Sequence, residues 1–107
     1  NEEKLAFLLI KVEYKNVKIL LSQILFIEAM DNYVKIHTAE RFYLTQQSMK
    51  SILQDLPDDQ FCRVHKSYIV NTQQIVRVSG NRIFFGQEYF VPIGRAYRED
   101  FVARYLK

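Results

Sequence analysis

A basic, hydrogen-bonding segment, His65-Lys66-Ser67, interrupts the apolar stretch FCRVHKSYIVN at residues 61–71. Cys62 and Val64 alternate with polar neighbours, which predicts a half-buried strand that ends at this segment. Loops and strand ends on a rigid scaffold often carry binding residues, so the segment is either a site or a solvated turn. An ammonium between two apolar half-strands must reach water or an anion, and Lys66 therefore fits both interpretations equally. We call His65-Lys66-Ser67 the clasp.

Two further polar segments adjoin apolar runs, Asp31-Asn32-Tyr33 and Gly94-Arg95-Ala96-Tyr97-Arg98. Arg95 follows Pro92-Ile93-Gly94, in which the proline fixes φ. A guanidinium on such a rigid platform can meet guanine or phosphate through two parallel hydrogen bonds. The alternatives are a surface salt bridge for Arg95 and a hairpin turn capped by the amide of Asn32.

The other reactive side chains fit ordinary structural roles. His65 is more typical of an imidazole bonded to a backbone carbonyl than of one that reads a base, and Asn71 is typical of a turn. Cys62 points inward by alternation, and with His37 and His65 it supplies too few ligands, too irregularly spaced, for zinc. The three glycines are isolated, so no phosphate-binding loop is present. The sequence predicts no metal, no cofactor and no enzyme.

Composition predicts one ordered domain with an anionic partner. The chain has 107 residues, of which 49% are hydrophobic, with three Gly and two Pro. Residues 1–60 hold seven Lys and Arg against nine Asp and Glu, whereas residues 61–107 hold eight against three. A basic half of this kind is typical of proteins that bind polyanions. A single cysteine and the lack of a long apolar run predict a cytoplasmic chain without a membrane span. The first residue is Asn1 rather than Met, which predicts a piece of a longer protein.

Short apolar runs separated by turn residues predict a mainly antiparallel β fold. The predicted strands are Phe7–Glu13, Val17–Leu21, Ile24–Glu28, Tyr33–Thr38, Arg41–Thr45, Phe61–His65, Ile75–Ser79, Arg82–Phe85 and Glu88–Val91. Helical spacing over 49–56, halted by Pro57, predicts one short internal helix, and Tyr97, Phe101 and Tyr105 at four-residue steps predict a short C-terminal helix.

Four blocks of the chain resemble the signature of LytTR DNA-binding domains. They are Phe26-Ile27-Glu28-Ala29, Asn32-Tyr33-Val34, Phe61–Asn71 and Val91–Tyr97, and the resemblance covers residues 5–106. It implies a compact antiparallel β fold that forms the C-terminal output domain of a bacterial response regulator of the LytR/AlgR type. It also implies that loops, rather than a recognition helix, enter successive major grooves of double-stranded DNA and contact the phosphates between them.

Carried over by motif position, the resemblance implies three DNA-facing loops. The first maps to Asn32 and Tyr33, the second to the clasp, and the third to Arg95 with Arg98 close by. In the family a serine commonly precedes that arginine, whereas here Gly94 leaves only a backbone N–H for a phosphate. The implied partners are duplex DNA, an N-terminal receiver domain and a second copy on tandem sites.

Two alternative hypotheses, which assign the chain to other functional classes, stay open at this point. The first is a β-rich protein-interaction or dimerisation domain whose basic half is incidental, and it predicts binding that barely weakens with salt. The second is a single-stranded RNA-binding surface that uses Tyr33, Tyr43 or Tyr68 as stacking platforms. It is weaker, because no ribonucleoprotein-type aromatic motif is present.

Overall fold

A computed structural model describes residues 7–86 and 89–106. In this part of the chain, ten strands form antiparallel sheets of two, five and three strands. The strands are β1 (Phe7–Val12), β2 (Lys15–Leu20), β3 (Ile24–Met30), β4 (Tyr33–Thr38), β5 (Phe42–Thr45), β6 (Phe61–His65), β7 (Tyr68–Asn71), β8 (Arg77–Ser79), β9 (Arg82–Phe85) and β10 (Tyr89–Pro92). The helices are α1 (Met49–Gln54) and α2 (Arg95–Phe101), and α2 runs on into a π-helical turn, Val102–Leu106.

The five-stranded sheet, in the order β5-β4-β3-β7-β6, is the middle layer of the molecule. Successive side chains on a strand point to opposite faces, so each of its strands can feed two cores. Ile27 and Ile69 pack in one core with the β1–β2 hairpin and α1. Phe26 and Val70 pack in the other with β8, β9, β10 and α2. Burial on both faces explains why β3 and β7, at the centre of this sheet, are nearly continuous apolar runs.

The loops that carry the predicted contacts all lie at one end of the middle layer. β3 and β4 meet at a two-residue turn, in which Asp31 has a φ of 53°, a left-handed conformation that Asp tolerates. β6 and β7 meet at the clasp, and the backbone N–H of Gly94 donates to the carbonyl of Val64 at 2.7 Å. β1 begins at the opposite end, because Phe7 pairs with Leu20 just before the turn that leads into β3. We call the end of the middle layer that carries the β3–β4 turn and the clasp the loop end.

The predicted fold class is confirmed, with differences in detail. The inward orientation of Cys62 and Val64 is confirmed, since both lie in the second core. The internal helix ends at Gln54, two residues before the last residue of the predicted pattern, although that residue, Leu56, is buried. β8 begins at Arg77 rather than Ile75. The predicted start of the last strand, Glu88, lies outside the described residues. No described helix is long and apolar enough to cross a membrane.

Candidate nucleic-acid interface

The backbone of the clasp is held by three hydrogen bonds from two residues, Arg63 and Ala29, while the Lys66 side chain is exposed. The guanidinium of Arg63 donates to the carbonyls of His65 at 3.3 Å and Lys66 at 2.5 Å. The backbone N–H of Ala29, on β3, donates to the carbonyl of Ser67 at 2.9 Å. Because these bonds hold the peptide groups, the ammonium of Lys66 projects from an ordered turn rather than from a loose one.

The imidazole of His65 is a packed part of this turn. Its Nδ1 accepts a hydrogen bond from the backbone N–H of Ser67 at 3.0 Å, so the bond to a carbonyl predicted from sequence is wrong. The ring also meets the edge of the Tyr68 ring, with 5.4 Å between centroids. Since Nδ1 is the acceptor, the neutral ring carries its proton on Nε2. His65 is half-buried and therefore presents only part of its ring at the loop end.

The third loop is joined directly to the clasp. A Cβ placed on Gly94 would lie 3.4 Å from His65 and 3.3 Å from the Tyr97 ring, so the loop approaches the clasp closely. The N–H of Gly94, which the sequence left for a phosphate, donates to the carbonyl of Val64 instead, and that expectation is wrong. Arg95, the first residue of α2, is exposed beside this junction. Lys66 and Arg95 are thus presented by one connected unit.

Arg98 has contacts within the fold. Its guanidinium donates to the carbonyl of Gly80 at 3.2 Å and to the side-chain oxygen of Asn81 at 2.7 Å. These bonds tie the β8–β9 turn to α2, next to Arg95.

In the first loop, the turn between β3 and β4, Asn32 and Tyr33 are both exposed at the loop end.

A polar network that the sequence did not indicate lies behind the clasp. The carboxylate of Glu28, on β3, contacts His37 Nε2 at 3.0 Å and accepts a hydrogen bond from the Tyr68 hydroxyl at 3.4 Å. The ring of His37 stacks on Phe26 with 4.2 Å between centroids. Burial lowers the pKa of the His37 imidazole, the Lys35 charge adds to the lowering, and the bond and charge of Glu28 oppose it.

The lowered pKa of His37 predicts a loss of stability in mild acid. The unfolded chain binds a proton with a pKa of about 6.5, whereas the folded chain binds it only at lower pH. The contribution of His37 to the free energy of unfolding should therefore be complete above about pH 6.5, and the protein should lose stability as the pH falls below that value. Urea titrations of wild type and His37→Gln between about pH 7.5 and 5 measure the difference. Parallel pH profiles for the two proteins would contradict this assignment.

Asn71 begins a turn, as predicted, since it caps the 3-10 turn Thr72–Gln74, but its side chain is also fully buried at the end of β7. Its amide donates to the carbonyls of Leu21 at 3.0 Å and Ile24 at 2.8 Å, and its oxygen accepts from the N–H of Gln73 at 3.0 Å. It therefore joins the end of the clasp hairpin to the segment that leads into β3. No sequence signal marks this role, because its main partners lie 47 and 50 residues away.

Cys62 is a structural thiol. Burial raises its pKa, against the opposing charge of Arg104, whose Nη1 lies 3.8 Å from the sulfur. Among residues 7–86 and 89–106, no group of three or more His, Cys, Asp or Glu side chains could hold a metal ion.

Comparisons with known proteins give the class of this molecule. Residues 14–105 match the model of the LytTr DNA-binding domain family. The LytTr DNA-binding domain of a response regulator from Bacillus cereus superposes with a TM-score of 0.80 at 21% identity, covering 94% of this chain and 97% of that one. The fold is therefore the mainly antiparallel β fold of a LytTr domain. The chain belongs to the LytTr DNA-binding domain family, a family of DNA-binding rather than enzymatic domains, as the sequence resemblance predicted.

Three curated relatives are regulators or sensory proteins. An uncharacterized response regulatory protein of Vibrio cholerae is 33% identical over 81 residues, which is 72% of this chain and 30% of that protein. The CO-responsive transcriptional regulator RcoM of Rhodospirillum rubrum is 34% identical over 79 residues, 68% of this chain and 34% of that protein. The sensory transduction protein LytT of Bacillus subtilis is 28% identical over 75 residues, covering 65% and 31%. This chain thus spans about a third of the length of these relatives.

Proposed function

We propose that this domain binds a specific duplex sequence through three loops at its loop end and serves as the output module of a transcription regulator. The observation that carries the proposal is the direct hydrogen bond between β6, which leads into the clasp, and the third loop, 2.7 Å from Gly94 N to Val64 O. Two exposed cations, Lys66 and Arg95, flank this bond. A rigid spacing between cations is what recognition of a regular phosphate backbone and base edges requires.

Each loop has a distinct role in this proposal. Asn32 and Tyr33 enter one major groove, Arg95 enters the next and reads guanine, and the clasp contacts the backbone between them. Within the clasp, Lys66 makes the contact while His65 and Ser67 shape the turn. Arg98 supports Arg95 by fixing the neighbouring β8–β9 turn. The remaining donors of its guanidinium contact the DNA backbone.

The proposal extends to the protein that carries this domain. Residues 1–107, with a core over about 5–106, form one domain of a longer cytoplasmic regulator, since the chain matches only about a third of relatives that include a response regulator. A receiver domain precedes it, and β1 begins at the end opposite the loops, where a preceding domain would not obstruct DNA. Two copies bind tandem sites. The domain has no catalytic role of its own and needs no cofactor.

Lys66→Ala should weaken duplex binding without loss of stability. An exposed loop side chain typically changes the free energy of unfolding by less than about 0.5 kcal/mol. If Lys66 neutralises one phosphate, the slope of log affinity against log salt should become shallower by about 0.9. Titration of a selected duplex at several salt concentrations, for wild type and variant, measures both effects.

Arg41→Ala is the matched control, because Arg41 is exposed just after the distal end of β4, away from the loops, and its removal changes the net charge equally. Its salt slope should stay close to that of wild type. Equal affinity of Lys66→Ala and Arg41→Ala would remove Lys66 from the interface. Wild-type binding that strengthens with salt would instead favour an apolar protein-interaction domain over a DNA-binding one.

A further inference from the structure

The strand behind the clasp carries one acidic side chain that faces the second core. Glu28 lies between Lys35 of β4 and Tyr68 of β7 in the cross-strand row. Its side chain is 29% exposed, and its two oxygens have different partners, His37 at 3.0 Å and Tyr68 at 3.4 Å. A partly buried carboxylate costs free energy unless such bonds compensate for lost water, so its position here requires an explanation.

Aromatic contacts extend this row to the clasp. The Tyr68 ring, which packs against the second core, lies 6.0 Å from Phe26 and meets the His65 ring edge-on at 5.4 Å. Edge-to-face contacts of this kind fix ring orientation as well as contributing stability. The bond from the Tyr68 hydroxyl to Glu28 therefore fixes the orientation of the Tyr68 ring, which is the ring that contacts His65.

The same strand also holds the clasp through its backbone. The residue after Glu28, Ala29, donates its N–H to the carbonyl of Ser67 at 2.9 Å. β3 thus acts on both ends of the clasp, directly through the bond from Ala29 to Ser67 and indirectly through Glu28, whose partner Tyr68 contacts His65. Lys66 lies between these two points, and its ammonium follows the backbone that they fix.

We propose that Glu28 is a positioning residue of the DNA interface, which holds Tyr68 so that His65 and Lys66 present the clasp in its DNA-binding geometry. The inference rests on the proposed function of the clasp. It assigns a negatively charged side chain a favourable role in binding a polyanion. Removal of Glu28 should therefore weaken DNA binding. Long-range electrostatics alone makes removal of any carboxylate strengthen DNA binding.

The experiment compares duplex affinity for wild type, Glu28→Ala, Tyr68→Phe and the double variant, each shown to be folded by circular dichroism. Loss of one positioning hydrogen bond should weaken binding by about three- to tenfold in each single variant. The double variant should bind duplex with the same affinity as the single variant that binds less tightly, because both changes break the same bond. Glu28→Gln, which keeps an acceptor for the hydroxyl, should recover most of the affinity.

Two controls separate positioning from charge and from general stability. Glu40→Ala removes an exposed carboxylate at the end opposite the loops and should leave affinity equal to or above that of wild type. In a Lys66→Ala background, the loss caused by Glu28→Ala should shrink to below about twofold, because the contact that Glu28 positions is already absent. A purely structural role would leave that loss unchanged.

Opposite results would overturn the inference. If Tyr68→Phe binds as tightly as wild type, or Glu28→Ala as tightly as Glu40→Ala, Glu28 does not position the clasp, whereas the proposed function stands. If Glu28→Ala fails to fold, Tyr68→Phe decides alone, since it removes only the hydroxyl. If wild type itself binds no duplex, the proposed function fails and this inference fails with it.

Discussion

Replacement of Arg95 by lysine is expected to cost about 1–3 kcal/mol of discrimination at a single base pair while most non-specific affinity remains. Guanine presents O6 and N7 as adjacent acceptors in the major groove, and a guanidinium can donate to both at once. An ammonium meets them only as a point charge. Arg95 is exposed at the start of α2, where the bond from Gly94 to Val64 fixes the approach of the backbone.

The measurement is binding of wild type and Arg95→Lys to a selected site and to single-base variants of it, at one salt concentration. Arg41→Lys, at the opposite end of the molecule, is the matched control and should leave the pattern unchanged. Since the charge is retained in both variants, the comparison isolates guanidinium geometry. If Arg95→Lys weakens binding equally on every sequence, or loses nothing, Arg95 contacts phosphate or only the protein.

Asn71→Ala is expected to lower the free energy of unfolding by about 2–4 kcal/mol. The Asn71 side chain is 0% exposed, and its removal would break its bonds to the carbonyls of Leu21 and Ile24 and to the N–H of Gln73, although the Leu21 carbonyl keeps its bond from the N–H of Ile24. Unsatisfied polar groups in a core are costly because water cannot replace the lost bonds.

Urea unfolding of Asn71→Ala measures this loss directly as a lower midpoint with an unchanged slope. Asn16→Ala is the control, because Asn16 is exposed on β2 and its loss should cost less than about 0.5 kcal/mol. Equal midpoints for the two variants would mean that the buried network around Asn71 is redundant.

The fold was largely predictable because several strands, such as β1, β4 and β9, alternate between buried and more exposed residues, while the central strands β3 and β7 are apolar runs buried over most of their length. The face of Cys62 and Val64 followed from that period alone. Element limits were less predictable, since they depend on tertiary contacts. Leu56 continues the helical spacing but packs in the first core after the helix has ended.

The candidate site was predictable only where residue type and motif carry the signal. Lys66 and Arg95 are identified in this way. Glu28 and Asn71 are not, because their roles depend on partners brought close by the fold. Glu28 meets Tyr68 across 40 residues of chain, and Asn71 meets Leu21 across 50. The close approach of Gly94 to the clasp likewise has no local sequence signature, since its φ of −74° is accessible to any residue.

The central claim is that three loops at one end of this domain read duplex DNA, and selection of bound sequences from a random duplex pool tests it most directly. Loops in successive major grooves predict an enriched motif with two short blocks of fixed bases, centred about 10 base pairs apart. Arg95→Lys should lose a guanine in one block only. Recovery of no motif from a folded wild-type domain would contradict the account.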